Sequence, residues 1–207
     1  MRAGVVRGGK GTGLRFAKRV MGKGMVKERD LKAFSGEFGL DGVDGARVLI
    51  ITEMNDLANA DGQVAASRLK QIWGMDGVFI NAKNVRVTQS RVLRVAVVMQ
   101  SNQMPRLPDN GEGLSTKMLV LPYERSYLNR EDFGLDEKLW AERGAIVKRW
   151  VEAAVRLERE ERPNMKWPAP KGSQEVMERF ATKNNPVQQF LKDEFVPMVG
   201  AKVACEV

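Results

Sequence analysis

Residues 4–12 read GVVRGGKGT: Gly4, four residues, then Gly9-Lys10, with Thr12 two places beyond the lysine. This short stretch restricts the fold more than any other part of the chain. Glycines at that spacing let backbone N–H groups turn inward onto an anion, and a lysine there can reach the outer groups of a polyphosphate. The geometry works only if a helix follows at once, so that its positive N-terminal end faces the anion. Residues 13–21, GLRFAKRVM, supply that helix, with Leu14, Phe16, Ala17, Val20 and Met21 for its apolar face. Gly4, Arg7, Gly8, Gly9, Lys10, Gly11 and Thr12 are therefore the candidate phosphate-binding residues. Gly11 stands where such loops usually carry Ser or Thr, which leaves Thr12 as the nearest hydroxyl for a bound Mg²⁺. Read alone, the stretch also fits a mobile glycine-rich tail.

Composition narrows the chemistry. The chain has 207 residues, enough for one domain with a real core. Lys and Arg number 34 against 26 Asp and Glu, a formal charge of +8, which favours phosphate-bearing or acidic partners. There is no histidine, and Cys205 is the single cysteine. Histidine-based triads, histidine metal sites, an intramolecular disulfide and cysteine-rich zinc sites are thereby excluded, and any general base is a carboxylate or a lysine. No apolar run approaches about 18 residues and no signal-like segment opens the chain, so the expectation is a cytoplasmic protein without a membrane partner.

Beyond the first helix, residues 28–39 read as a short helix ending near glycines. Residues 46–52, ARVLIIT, are short, apolar and rich in β-branched residues, the pattern of a parallel strand covered on both faces. Glu53 follows it and Asp56 lies three residues on. Ligands of open α/β sheets sit beyond the carboxyl ends of strands, where such acids can hold Mg²⁺ or orient a water. A helix is expected over 61–73, capped by Asp61. In 74–87 two β-prone pieces flank a polar turn carrying Lys83, with Arg86 after it, either a surface hairpin or a basic tip for a nucleic-acid backbone. Residues 92–100 read as a second buried strand ended by Ser101-Asn102. On this reading the strands at 46–52 and 92–100 lie beside the phosphate loop, so that one nucleotide meets both Glu53 and Asn102. A third strand is expected over 117–121, then helices over 136–143 and 144–161. In the last of these Ile146, Val147, Trp150, Val151, Ala154 and Leu157 form a stripe expected to pack in the core. Residues 162–172 form a proline-marked linker, and helices over 173–182 and 186–194 follow, giving a core at 1–161 and a helical segment at 162–207.

The succession GVVRGGKGT, VLIITE, GMDGVFINAK, VVMQSNQMPRLPD and STKMLVLPYERSYLNRED resembles the helicase domain of phage and plasmid primase-helicases, the poxvirus primase-like branch of the superfamily 3 helicases. The resemblance runs over roughly residues 4–195. It implies an α/β fold of the P-loop NTPase class: an AAA+-like three-layer sandwich with a helical C-terminal extension. It implies an ATPase, using ATP and Mg²⁺, that assembles as a homo-oligomer, usually a hexameric ring. Such a ring moves on single-stranded DNA with other replication proteins, in the cytoplasm of a bacterial host. Carried over by motif, Gly9, Lys10 and Thr12 bind triphosphate and metal, and Glu53, with Asp56, closes the second nucleotide motif. Asn102 senses the γ-phosphate, and Lys83 and Arg86 belong to a hairpin facing the pore. Lys117 occupies the place of a cation that reaches a neighbouring subunit's ATP, with Arg106 and Arg125 as nearby alternatives. Three residues before the loop leave little room for the buried strand that normally feeds it, so the chain reads as a core trimmed at both ends. Two other readings stay open: a phosphotransferase, and a non-catalytic remnant that binds nucleic acid or a replication partner.

Overall fold

The computed structural model describes residues 2–52, 60–81, 89–102, 114, 117–161, 172–177, 190 and 194. Its centre is a five-stranded sheet in the order β2-β3-β6-β1-β7, formed by β1 (Arg2–Gly4), β2 (Val26–Asp30), β3 (Val48–Thr52), β6 (Ala96–Ser101) and β7 (Leu121–Tyr123). Every pairing in it is parallel. The remaining strands, β4 (Gly77–Ile80) and β5 (Gln89–Val92), form a separate antiparallel hairpin.

The run VLIIT makes β3 because alternate side chains of a covered strand serve opposite layers. Leu49 and Ile51 face one layer, where they join Met99 of β6 with residues of α2 (Leu31–Ser35) and α3 (Ala60–Gly74). Ile50 faces the other, where it meets Val26 and Leu14 of α1 (Lys10–Met21). Leu49, Ile50 and Ile51 are at most 2 % exposed, and each such side chain stabilises the fold by roughly 1.5–3 kcal/mol. Helices thus cover both faces of the sheet. Two further helices, α4 (Leu135–Ala141) and α5 (Arg143–Arg156), lie on the α1 side. A short π-turn at Leu157–Glu161 extends α5.

Several expectations need correction. The loop is fed by a strand after all: Arg2–Gly4 pairs with β6 on one side and β7 on the other. Three residues suffice because both neighbours supply hydrogen bonds. The helix expected over 28–39 is confined to Leu31–Ser35, and residues 26–30 are a strand. At the sheet's edge β2 is polar at every position after Val26, its one buried residue, so it carries no apolar signal. Its last residue, Asp30, caps α2 by accepting a hydrogen bond from the Ala33 N–H at 2.7 Å. Asp61 lies within the first turn of α3. The strand expected over 92–100 begins at Ala96, because Val92 belongs to the hairpin, opposite Gly77. The strand expected over 117–121 is displaced to 121–123, and Lys117 closes a turn onto the Leu114 carbonyl. Of the two strands expected beside the phosphate loop, β6 is adjacent to β1 and β3 is one strand further out, about 10 Å from β1 at normal strand spacing.

The stripe on α5 does not enter the core. No residue of that helix is buried, and Trp150 and Val151 are 44 % and 57 % exposed. One edge-on contact between Trp150 and Phe16, with ring centroids 5.6 Å apart, ties it to α1. Residues 172–177 are helical; Ser173 is fully buried and Met177 packs on the larger core cluster. The linker at 162–171 lies outside the described residues.

Among the interior polar devices, Arg68 of α3 is the most elaborate. Its guanidinium donates to the Phe34 carbonyl and, at 2.8 Å, to the Gly36 carbonyl, satisfying the end of α2. The chain passes so close there that a Cβ on Gly39 would collide with the carbonyls of Phe34 and Ala33.

Candidate functional site

All five parallel strands end at one edge of the sheet, and the direction of the chain splits there. From β1 it crosses to the far edge at β2; from β6 it passes over β1 to β7. Loops leaving two neighbouring strands in opposite directions open a crevice between them, which is where open α/β sheets bind ligands. A cavity of about 820 Å³ lies there, within the size range of small-molecule sites.

Its first wall is the glycine turn. Gly9 adopts φ 83° and caps α1, and Lys10 is the first helical residue. A left-handed φ at the turn is a glycine conformation; a Cβ at Gly8 would press on the carbonyls of Val5 and Arg125 at 3.1 and 3.3 Å. α1 has no acidic residue in its first turn, so its positive end is not cancelled by its own side chains. Lys10 is 4 % exposed, and its ammonium donates to the Val5 carbonyl at 2.6 Å. Burial pushes its pKa below the ordinary lysine value, since a low-dielectric setting disfavours the charged form.

The second wall comes from the end of β6, through Gln100 and Asn102. Ala3 is level with Ser101, so Asn102 leaves the sheet where the glycine turn begins. The third wall is the segment after β7: Tyr127, Arg130, Glu131, Asp132, Phe133, Leu135 and Asp136. It is pinned to the glycine turn by backbone and side-chain bonds. The Val5 N–H donates to the Tyr123 carbonyl at 2.9 Å, the Ser126 hydroxyl to the Val6 carbonyl at 2.9 Å, and the Tyr127 N–H to the Arg7 carbonyl at 3.2 Å.

Charge in the cavity is paired across these walls. Arg15 of α1 meets Asp136 at 3.0 Å and Arg7 meets Glu131 at 3.7 Å. Asp132 accepts from Lys138 at 2.7 Å, which holds its carboxyl below the usual range, helped by the Gly134 N–H. Arg130 carries no ion pair among the described residues. Thr12 Oγ1 accepts from Arg15 at 3.2 Å.

Of the residues singled out from the sequence, Arg7, Gly8, Gly9, Lys10, Gly11, Thr12 and Asn102 share this cavity. Gly4 ends β1 at its entrance. Lys117 and Arg125 are exposed and do not line it. Glu53, Asp56, Lys83, Arg86 and Arg106 lie outside the described residues. Sequence reasoning passed over Arg15, Gln100, Arg130 and the acids at 131, 132 and 136. Arg130, Glu131 and Asp132 were visible as the run NRED, charged residues with no spacing that ties them to Lys10, and Arg15, Gln100 and Asp136 carried no motif signal. As for metal-binding donors, Thr12 offers a hydroxyl, and among the described residues no group of three or more Asp, Glu, Cys or His is placed to hold an ion.

A model of a family of unknown function, DUF5906, matches residues 4–117, from the glycine turn to the turn before β7. No curated protein matches the chain. Among solved structures, the apo A form of the NrS-1 C-terminal region shares the fold, with a TM-score of 0.50 and 16 % identity. That match covers 68 % of this chain and 33 % of the other, so the chain spans about a third of its structural neighbour. Among the described residues no helix is long and apolar enough to cross a membrane.

Proposed function

The chain belongs to the family of unknown function DUF5906, and we propose that it is a P-loop, AAA+-like ATPase acting as the helicase core of a phage or plasmid primase-helicase. The observation that carries this reading is the buried Lys10 at the start of α1, directly after a left-handed Gly9, in the crevice between β1 and β6. Burial disfavours the charged form of this ammonium and lowers its pKa. A polyphosphate would compensate the charge, with the α1 N-terminus and the N–H groups of Gly9, Gly11 and Thr12 as further donors.

The residues present fit a triphosphate: glycines where the backbone must approach closely, a lysine, and the cations Arg7, Arg15 and Arg130 around the cavity. Mg²⁺ would be held through the Thr12 hydroxyl together with Glu53 and Asp56, and would supply neutralisation of charge on the transferring phosphoryl group. Lys10 would bind the phosphates, Asn102 would hydrogen-bond the outermost one, and Glu53 would orient the attacking water. The positive charge of the chain, +8, supports a single-stranded DNA partner, with Lys83 and Arg86 in contact with its phosphates. On this reading a neighbouring subunit of a hexameric ring completes each site with Lys117, Arg125 or Arg106.

The test measures binding of a fluorescent ATP analogue and release of phosphate, with and without single-stranded DNA. The parent should bind, hydrolyse and respond to DNA. Lys10→Ala should lose binding, and Glu53→Gln should bind while losing hydrolysis. Binding without turnover in the parent would favour the non-catalytic reading, and turnover indifferent to DNA the phosphotransferase.

A further inference from the structure

Arg15, like Arg130, is a cation of this cavity that the phosphate-loop pattern does not include. It stands on α1 one and a half turns after Lys10, and its guanidinium holds two oxygens of Asp136, Nε at 3.0 Å and Nη2 at 3.3 Å. Nη2 also donates to Thr12 Oγ1 at 3.2 Å. An arginine has five N–H donors; the two on Nη1 have no partner among the described residues. Nη1 lies 3.3 Å from the position a Cβ on Gly11 would take. The guanidinium therefore lies beside Gly11, at the start of the helix that follows the phosphate-gripping turn, and a Cβ there would shift it by a few tenths of an ångström.

Building on the nucleotide reading, we propose that Arg15 is a second phosphate-binding cation of this site, and that Asp136 is an internal competitor for it. The carboxylate of Asp136 and a phosphate oxygen present the same bidentate acceptor geometry to a guanidinium. An entering polyphosphate takes Arg15 over from Asp136, and the freed Thr12 hydroxyl becomes available in the same exchange. Because Asp136 lies in the first turn of α4, and Glu137 beside it pairs with Arg19 at 2.8 Å, the exchange loosens one of the two ion pairs between α4 and α1. Nucleotide binding is thereby coupled to the position of the 130–141 segment.

Both partners are about half exposed, 60 % for Arg15 and 47 % for Asp136, so the pair is weak and the competition modest. The experiment titrates the full chain with a fluorescent ATP analogue at about 50 mM salt. Asp136→Asn should tighten binding about two- to fivefold, a gain that shrinks at about 0.5 M salt as screening removes the competing attraction. Arg15→Ala should weaken binding about tenfold or more. In the Arg15→Ala background, adding Asp136→Asn should change nothing further, because the competitor then has no cation to hold. Glu28→Gln, which removes a carboxylate paired with Lys18 outside the cavity and away from α4, serves as the control and should bind like the parent. Affinity unchanged by Asp136→Asn, or raised equally with and without Arg15, would overturn the competition while leaving the nucleotide site in place. Absence of binding in the parent and in Asp136→Asn alike would overturn both.

Discussion

Replacing Lys10 by Met separates what the lysine does for the fold from what it does for a ligand. The side chain is 4 % exposed, and its ammonium donates to Val5 at 2.6 Å. Met keeps a stem of similar length and removes the charge. The lost charge-assisted hydrogen bond costs about 1.5–3 kcal/mol, while keeping an ammonium out of water costs several kcal/mol. The Val5 carbonyl is not stranded, since the Gly8 N–H still donates to it at 3.3 Å. Desolvation outweighs the ammonium's partners, as the lowered pKa shows, so the balance favours the variant by about 1 kcal/mol, or about 2–4 °C in melting temperature for a chain of this size. Burial lowers the pKa of Lys10, so between that lowered value and 10.5 the unfolded chain binds the extra proton. Over that window the parent gains stability as pH rises, and below it the full cost of the buried charge remains. The advantage of Lys10→Met should therefore be greatest near neutrality and shrink toward pH 10.5, while ATP-analogue binding is lost at every pH. Urea unfolding at a series of pH values, beside nucleotide titration, measures both. A variant less stable than the parent by about 1 kcal/mol or more near pH 7, or an advantage that grows as pH rises, would refute the argument that Lys10 is held at a cost to the fold.

Three further outcomes follow from particular contacts. Arg68→Met leaves the Phe34 carbonyl without the guanidinium at the end of α2, while the Gly36 carbonyl keeps the Gly39 N–H at 3.0 Å, and should cost about 1–3 kcal/mol in urea unfolding; a loss under about 0.5 kcal/mol would mean water replaces the guanidinium. Ser173 is fully buried, and its hydroxyl has no hydrogen bond among the described residues, so Ser173→Ala should raise stability by about 1 kcal/mol, and a drop would reveal a partner for that oxygen. If Lys83 contacts a DNA backbone, Lys83→Ala should weaken single-stranded DNA binding and flatten its salt dependence by about one unit or less; identical affinity and slope would remove Lys83 from the interface.

Sequence alone determined the parts governed by local pattern. Gly4, Gly9 and Lys10 declare themselves by spacing, because the left-handed turn at residue 9 favours glycine and a following helix gives the lysine its setting. The run from Val48 to Thr52 declares a covered parallel strand, because its two faces meet two different layers. Tertiary structure decided the rest. A three-residue β1 and a polar β2 have no pattern of their own; each is a strand because neighbours far along the chain hold it, β6 and β7 in one case and β3 in the other. The apolar stripe of α5 has helical spacing whether or not anything covers it, so periodicity correctly gave the helix and could not give its burial. The same holds for the site. Lys10 is legible from a motif, but its neighbour Arg15 acquires meaning only through Asp136, 121 residues away. Charges held together by a sheet's crossover leave no trace in local spacing, since it is the order of the strands that sets them face to face.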